Sequence, residues 1–218
     1  MEKEKRDRRP IKMREKKWVK KTAAWLARLG IRPNQISILS VVFSGLSGAC
    51  LVLVASGSPW KRSILYLAAA AFIPLRGLCN LCDGLMAVEG GLKTKSGEIF
   101  NDLPDRISDP LLLVAAGYSI NGASWGRELG WAAGLLAVMT AYVRVLGGSA
   151  GGSQQFCGPM AKTHRMLVIM AACLIAAGEV AIGRNPRVMI LALGWIIVGS
   201  MITILRRAYR VVKELESR

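Results

Sequence analysis

The sequence contains little of the side-chain chemistry that many soluble hydrolases and metalloenzymes use. Of its 218 residues, five are cysteines and only His164 is a histidine. A site of several histidines within one chain is therefore excluded, and this imidazole is the only candidate for a Ser-His-Asp triad. The cysteines lie mostly in apolar runs and have no zinc-ligand spacing, which favours a packing role. Acidic residues are also scarce, 14 against 30 Lys and Arg, so the formal net charge is +16.

The positive charge is concentrated at the N-terminus. Residues 1–32 hold thirteen Lys and Arg against four acids. Such a stretch can bind nucleic acid, but beside an apolar span it is more typical of a cytoplasmic flank that contacts anionic lipid. We therefore expect membrane lipids and no nucleic acid as partners. The basic region is too long for a signal peptide and no cleavage-like site follows, so we expect no cleaved leader.

Long apolar runs dominate the rest of the chain, which is 52% hydrophobic. Several approach the roughly 20 residues that cross a bilayer as a helix. Before them, Trp18, Trp25 and Leu29 recur at helical spacing among lysines, as in an amphipathic interfacial helix. The predicted fold is an all-α integral membrane protein with six transmembrane helices preceded by this helix. The apolar stretches are 35–56, 64–85, 111–120 behind an acidic cluster, 129–145, 166–182 and 188–205.

Composition along the chain also predicts its organisation. Residues 1–16 are charged and lack an apolar face, so we expect them to be disordered. Residues 17–30 form the amphipathic juxtamembrane helix, and residues 31–213 form the six-helix domain. The even-numbered connections and the C-terminal tail carry more Lys and Arg than the outer loops, which places them with the N-terminus in the cytoplasm.

A polar cluster interrupts the apolar pattern between residues 80 and 109. Asn80, Asp83 and Ala87 stand at i, i+3 and i+7, on one face of the second span. After a glycine-rich break, Asn101 and Asp105 stand one turn apart on the next helix, which we expect to form an antiparallel hairpin with the second span. Carboxylates are costly at membrane depth, which makes the cluster a candidate functional site. Oxygen ligands from two helices suit Mg²⁺, Mn²⁺ or Ca²⁺ with a phosphorylated substrate.

The cluster resembles the motif of the CDP-alcohol phosphotransferases, D-x2-D-G-x2-A-R-x8-G-x3-D-x3-D. Every spacing of that motif is kept. Residues 32–37, Arg-Pro-Asn-Gln-Ile-Ser, also resemble the family's entry to its first span. The resemblance covers roughly residues 17–213 and identifies the six-helix segment as a CDP-alcohol phosphotransferase domain. The chain reads Asn80-x2-Asp83-Gly84-x2-Ala87-Val88-x8-Gly97-x3-Asn101-x3-Asp105.

The resemblance implies a transferase of phospholipid synthesis with Mg²⁺ or Mn²⁺ as cofactor. A phosphatidyl group would move from CDP-diacylglycerol to a hydroxyl acceptor, with release of CMP. Lys162 and Arg165 in a later segment that also resembles the family favour a phosphorylated acceptor such as glycerol 3-phosphate. Asp105 is the implied general base. The implied metal positions are Asn80, Asp83, Asn101 and Asp105, and the implied substrate contacts are Gly84, Ala87, Gly97, Lys162 and Arg165.

Three positions depart from the motif. Asn80 and Asn101 replace aspartates, and an amide oxygen without charge binds a divalent cation more weakly. Val88 replaces an arginine and removes an anion contact. Asp102 and Asp109 are candidates to restore the negative charge; Arg76, Lys95 and Arg106 are candidates for the missing cation. The alternative function is a catalytically impaired relative that binds CDP-lipid or phospholipid without turnover.

Other readings of the charged residues stay open at the level of sequence. Arg76 either snorkels to the interface or binds an anion, and Arg144 fits snorkelling better than catalysis. Lys162 and Arg165 either bind an acceptor phosphate or only set the topology. The resemblance further implies a multi-pass protein of the bacterial inner membrane with its site facing the cytoplasm. Homodimers are usual in the family, and the spans show no decisive interface pattern, so a homodimer stays open.

Overall fold

The computed structural model describes residues 16–89 and 97–217, without the side chains at positions 88, 89, 98 and 101. Within these ranges the chain forms seven α-helices and a short 3₁₀ turn after α2, with no strand, which confirms the predicted all-α class. The predicted disordered segment 1–16 lies almost wholly outside the described residues. The helices are α1 (Lys17–Arg28), α2 (Pro33–Leu53), α3 (Pro59–Glu89), α4 (Gly97–Tyr118), α5 (Gly126–Ser149), α6 (Lys162–Ala181) and α7 (Val188–Glu216).

The turn between α1 and α2 follows from its local sequence. Gly30 has φ +76°, a left-handed conformation that glycine adopts at little cost and that ends α1. Pro33 occupies the first turn of α2, where the missing N–H of proline loses no helical hydrogen bond. The Arg32 backbone N–H donates to Gln35 Oε1 over 2.8 Å, which closes the start of the helix.

Five of the described helices are long and apolar enough to cross a bilayer, namely α2, α3, α5, α6 and α7. The chain is therefore a multi-pass membrane protein. The remaining predicted span, residues 111–120, lies in α4, which is not among the five. Asp102, Asp105, Arg106 and Asp109 all lie in this helix, ahead of its apolar end, and lower its mean hydropathy. The count of six spans thus stays a prediction.

The helices close into a ring in the order α2, α3, α6, α7, α5, α4, and α4 returns to α2. Consecutive α3 and α4 hardly pack against each other, although the sequence predicted a hairpin of adjacent helices. Their polar faces meet instead through long side chains, and α2 packs against both helices. The polar cluster therefore points into the ring, between helices that are not in close backbone contact.

α4 is anchored in the bundle by a close crossing with α5. A Cβ atom at Gly130 would lie 2.9 Å from Gly117 Cα, so the two backbones approach at these glycines. Small residues allow such close packing of membrane helices. The polar helix α4 is thus held at its apolar end by backbone-to-backbone packing, while its acidic end stays available for the site.

The apolar interior has two parts. A large cluster joins α2, α3, α4, α5, α6 and α7 around residues such as Tyr66, Leu113 and Ile169. A small cluster holds α1 on α3 through buried Val19 and Ala23. Trp18 and Trp25 of α1 are about half exposed, with relative exposures of 48% and 59%. This pattern is that of an amphipathic helix with interfacial tryptophans.

Candidate active site

Asp105 of α4 lies at the point where three helices bring polar side chains together. Its Oδ1 atom accepts a hydrogen bond from Asn80 Nδ2 of α3 over 2.9 Å and lies 3.4 Å from Arg76 Nη2. Lys162, the first residue of α6, also forms an ion pair with this oxygen through Nζ. The structure thus brings together Asn80, Asp105 and Lys162, which are distant in sequence and were each predicted as site residues.

Asp83 is the second carboxylate of the site and is 3% exposed. Its Oδ2 atom accepts a hydrogen bond of 2.7 Å from Ser37 Oγ of α2. Its Oδ1 atom is buried and has no hydrogen-bond partner. A buried carboxylate oxygen without a partner is costly, so this atom is the clearest candidate ligand atom in the described cluster.

Asp109, one turn beyond Asp105, belongs to a buried ion network. Oδ1 pairs with Arg76 of α3, and Oδ2 accepts from Arg165 Nη2 of α6 over 2.9 Å. All three residues are buried, with exposures of 3% or less. The snorkelling interpretation of Arg76 is therefore wrong, since its guanidinium lies inside the ring rather than at the interface. The sequence signal for Asp109 was its position four residues after Asp105, on the same face of the helix.

Arg165 is held by more than its carboxylate partner. Nη1 donates to Thr140 Oγ1 over 3.1 Å and to the Met160 carbonyl over 3.0 Å. Arg207 of α7, which the sequence placed in a basic tail, is buried nearby and donates to the carbonyls of Thr140 and Cys157. These contacts tie the segment before α6 to α5 and α7. Arg207 could not be singled out from the sequence, because it is one of several Arg and Lys residues in the C-terminal tail.

Asp102 does not join the cluster. It pairs with Arg144 Nη2 of α5 at 2.9 Å and with Arg106 Nη2 at 2.7 Å. Arg144 also lies over the Phe156 ring, 5.3 Å from its centroid. The suggestion that Asp102 compensates for a missing metal ligand gains no support from this placement. The guanidinium groups of Arg144 and Arg106 are both paired with Asp102.

The remaining predicted residues lie at the ends of α3 and α4. Gly84 and Ala87 are in the last turns of α3, both partly buried, and Gly97 is the first residue of α4. The side chains of Asn101 and Val88 and the connection with Lys93 and Lys95 lie outside the described residues. Predicted roles for all of these positions stay predictions.

The described side chains contain no group of three or more His, Cys, Asp or Glu residues placed to hold a metal ion. The three carboxylates instead have different partners. Asp83 has one oxygen without a hydrogen-bond partner, Asp105 pairs with Lys162, and Asp109 pairs with two arginines. The buried, unpartnered Oδ1 atom of Asp83 is the feature that fits a divalent cation, because a carboxylate oxygen is a preferred ligand of Mg²⁺ and Ca²⁺.

Three curated proteins are similar in sequence. An uncharacterised protein of Aquifex aeolicus is 28% identical over 198 residues, 88% of each chain. The archaetidylinositol phosphate synthase of Pyrococcus horikoshii is 25% identical over 195 residues, 88% of this chain and 89% of that protein. The inner membrane protein YnbA of Escherichia coli is 26% identical over 147 residues, covering 67% and 69%. No protein-family model matches the chain.

Solved structures with the same architecture include phosphatidylinositol phosphate synthase PgsA1 of Mycobacterium tuberculosis. Its complex with CDP-DAG superposes with a TM-score of 0.65 at 21% identity, over 88% of this chain and 92% of that chain. Its complex with manganese and citrate also gives a TM-score of 0.65, at 21% identity and over 88% of each chain. The chain thus has the fold of PgsA1, an all-helical membrane fold of the kind that the motif resemblance implied.

Proposed function

We propose that this chain is a CDP-alcohol phosphatidyltransferase. It would move the phosphatidyl group of CDP-diacylglycerol to a hydroxyl acceptor and release CMP. The observation that carries the proposal is the pair of carboxylates at motif spacing: Asp83 with a buried unpartnered oxygen, and Asp105 of α4, whose Oδ1 atom accepts a hydrogen bond from Asn80. A carboxylate oxygen without a partner can bind a cation, and an oriented carboxylate can accept a proton.

Mg²⁺ or Mn²⁺ is the cofactor that the donor set fits. Asp83 and the carbonyl oxygen of Asn80 are hard oxygen ligands, and the Asn80 amide can donate to Asp105 while presenting that oxygen. Manganese is present in the similar PgsA1 structure. Such a cation, when bound, neutralises diphosphate charge and stabilises the departing CMP.

The chain's own side chains would handle the acceptor. Asp105, held in place by the Asn80 hydrogen bond, takes the proton of the acceptor hydroxyl. The acceptor oxygen forms a bond to the phosphatidyl phosphorus as the bond from that phosphorus to the oxygen of CMP breaks. Buried Asp109 and Arg76 join α4 to α3 by an ion pair, which fixes the separation of the two helices. CMP leaves with the electron pair of the broken bond.

A phosphorylated polyol is the acceptor class that the surroundings favour. Lys162 stands at the N-terminus of α6, where its ammonium group and the helix end both attract phosphate. The names of two similar proteins contain inositol phosphate. Glycerol 3-phosphate, the acceptor that the sequence suggested, belongs to the same chemical class.

The charge distribution supports a cytoplasmic location for the reaction. The basic N-terminus, the connection that carries Lys93 and Lys95, and the C-terminal tail favour a site on the cytoplasmic side. Similarity to an inner membrane protein of Escherichia coli supports a bacterial inner membrane. Membrane lipids are then the immediate surroundings and CDP-diacylglycerol the lipid substrate. A homodimer stays open, and no nucleic-acid partner is expected.

CMP release by the purified protein in lipid nanodiscs tests the proposal. CDP-diacylglycerol is supplied with Mg²⁺ or Mn²⁺ and with glycerol 3-phosphate, inositol phosphate, glycerol, inositol or serine. We expect metal-dependent CMP release that is largest with a phosphorylated acceptor. Addition of EDTA should abolish it. If no acceptor yields CMP above the no-acceptor rate, the proposal is wrong.

The alternative function is a binder of CDP-lipid without turnover, motivated by Asn80, Val88 and Asn101. The double variant Asn80→Asp/Asn101→Asp distinguishes the two. If the unaltered chain is an enzyme, its CMP release is measurable without any substitution. We then expect the restored carboxylates to change how that rate depends on the metal ion. Turnover seen only in the double variant, together with CDP-diacylglycerol binding by the unaltered chain, would establish the binder.

A further inference from the structure

Acidic and basic side chains pair inside the ring before any ligand binds. Two carboxylates, Asp105 and Asp109, pair with three cations, Arg76, Lys162 and Arg165. Asp109 pairs with both arginines, and Asp105 has Lys162 as its nearest cation. Asp83 is in none of these pairs, and its Oδ1 atom has no hydrogen-bond partner. Because a buried charge is stable only when it is compensated, a further cation is better accepted at Asp83 than at Asp105.

We propose that the Lys162 ammonium takes the place of a divalent cation at Asp105, so that the chain binds one divalent cation, at Asp83. The proposal rests on the proposed function and specifies how its site is charged.

Local geometry at Asp105 leads to the same assignment. Oδ1 already contacts Lys162 Nζ, accepts from Asn80 Nδ2 at 2.9 Å, and lies 3.4 Å from Arg76 Nη2. A metal ion on this oxygen would have to displace an N–H donor and lie beside two positive side chains. At Asp83 the situation is reversed, because Oδ1 has no partner and Ser37 occupies only the other oxygen.

Lysine suits this role better than arginine. Its ammonium is a compact charge on a flexible stem, whereas a guanidinium is planar and spreads its charge over a rigid fork. Lys162 begins α6, and its side chain is 26% exposed, so its head group can reach both Asp105 and an entering phosphate. Arg165, one turn later, forms hydrogen bonds with Thr140, Met160 and Asp109 and therefore has a structural role.

Counting bound Mn²⁺ by equilibrium dialysis and electron paramagnetic resonance tests the inference without turnover. In the substrate-free protein we expect one Mn²⁺ per chain. Lys162→Met removes the charge at similar length; we expect a second Mn²⁺ to bind, its affinity rising about tenfold or more because the nearby repulsion is gone. The matched variant Lys162→Arg should retain one ion.

Two Mn²⁺ of similar affinity in the unaltered chain would overturn the inference. So would a Lys162→Met protein that binds one Mn²⁺ with unchanged affinity. If that variant does not fold, as judged by gel filtration and thermal unfolding, Lys162→Gln is counted in its place. A chain that binds one Mn²⁺ but releases no CMP contradicts the proposed function alone. A chain that releases CMP with two bound ions contradicts only the role of Lys162.

Discussion

We expect Asp105→Asn to lower the turnover rate for CMP release by roughly 10²- to 10⁴-fold, the usual contribution of a general base. The amide keeps the size of the side chain and can still accept the hydrogen bond from Asn80 Nδ2 through its oxygen. It cannot take the proton of the acceptor hydroxyl. The effect should therefore fall on kcat, while KM for CDP-diacylglycerol stays within a few-fold. Initial rates of CMP release in nanodiscs measure both quantities.

Asp102→Asn is the matched control for this prediction. Asp102 lies on the same helix, three residues earlier, but its partners Arg144 and Arg106 are outside the cluster. We expect its rate to stay near that of the unaltered chain. Thermal unfolding of both variants separates chemistry from folding, since Asp105→Asn also removes the counter-ion of Lys162. Equal rates for Asp105→Asn and Asp102→Asn would show that Asp105 is not the base.

The second large effect concerns stability. Asp109→Ala should lower the free energy of unfolding by about 3–5 kcal/mol, as when one partner of a buried ion pair is removed. The reason is that the substitution leaves the Arg76 and Arg165 guanidinium groups buried without their shared carboxylate. We expect the midpoint of thermal or denaturant unfolding in detergent micelles to fall accordingly.

Asp102→Ala provides the comparison for Asp109→Ala. The Asp102 side chain is 44% exposed, so water screens its pairs with arginine, and we expect a loss of about 1 kcal/mol or less. The contrast depends on burial alone, because both aspartates pair with two arginines on other turns or helices. Equal unfolding midpoints for the two variants would mean that the Arg76–Asp109–Arg165 network does not stabilise the ring.

Much of the architecture was predictable from local patterns. Apolar runs of bilayer length predicted the helices α2, α3, α5, α6 and α7, since hydropathy depends only on neighbouring residues. The spacing from Asn80 to Asp105 predicted that their side chains share a site, because helical periodicity sets which residues lie on one face. The span in α4 was less clear from hydropathy, since the acidic residues of this helix precede its apolar end.

The pairing of charges could not be predicted in the same way. Arg76 and Asp109 are 33 positions apart, and Arg165 is a further 56 positions from Asp109. Arg207 joins the same interior from the last helix. In a chain with 30 Lys and Arg, sequence alone does not distinguish an arginine that faces the lipid surface from one that faces the ring. That choice depends on how the helices are rotated and which are neighbours.

By itself, the sequence determined that this protein is a helical membrane protein with an acidic motif on two consecutive helices, because these properties follow from hydropathy and periodicity. Only the tertiary structure decided what each charge does. The ring separates α3 from α4, leaves Asp83 Oδ1 without a hydrogen-bond partner, pairs Asp109 with two arginines and pairs Lys162 with Asp105. These outcomes depend on distances between atoms of different helices, and such distances are set by packing.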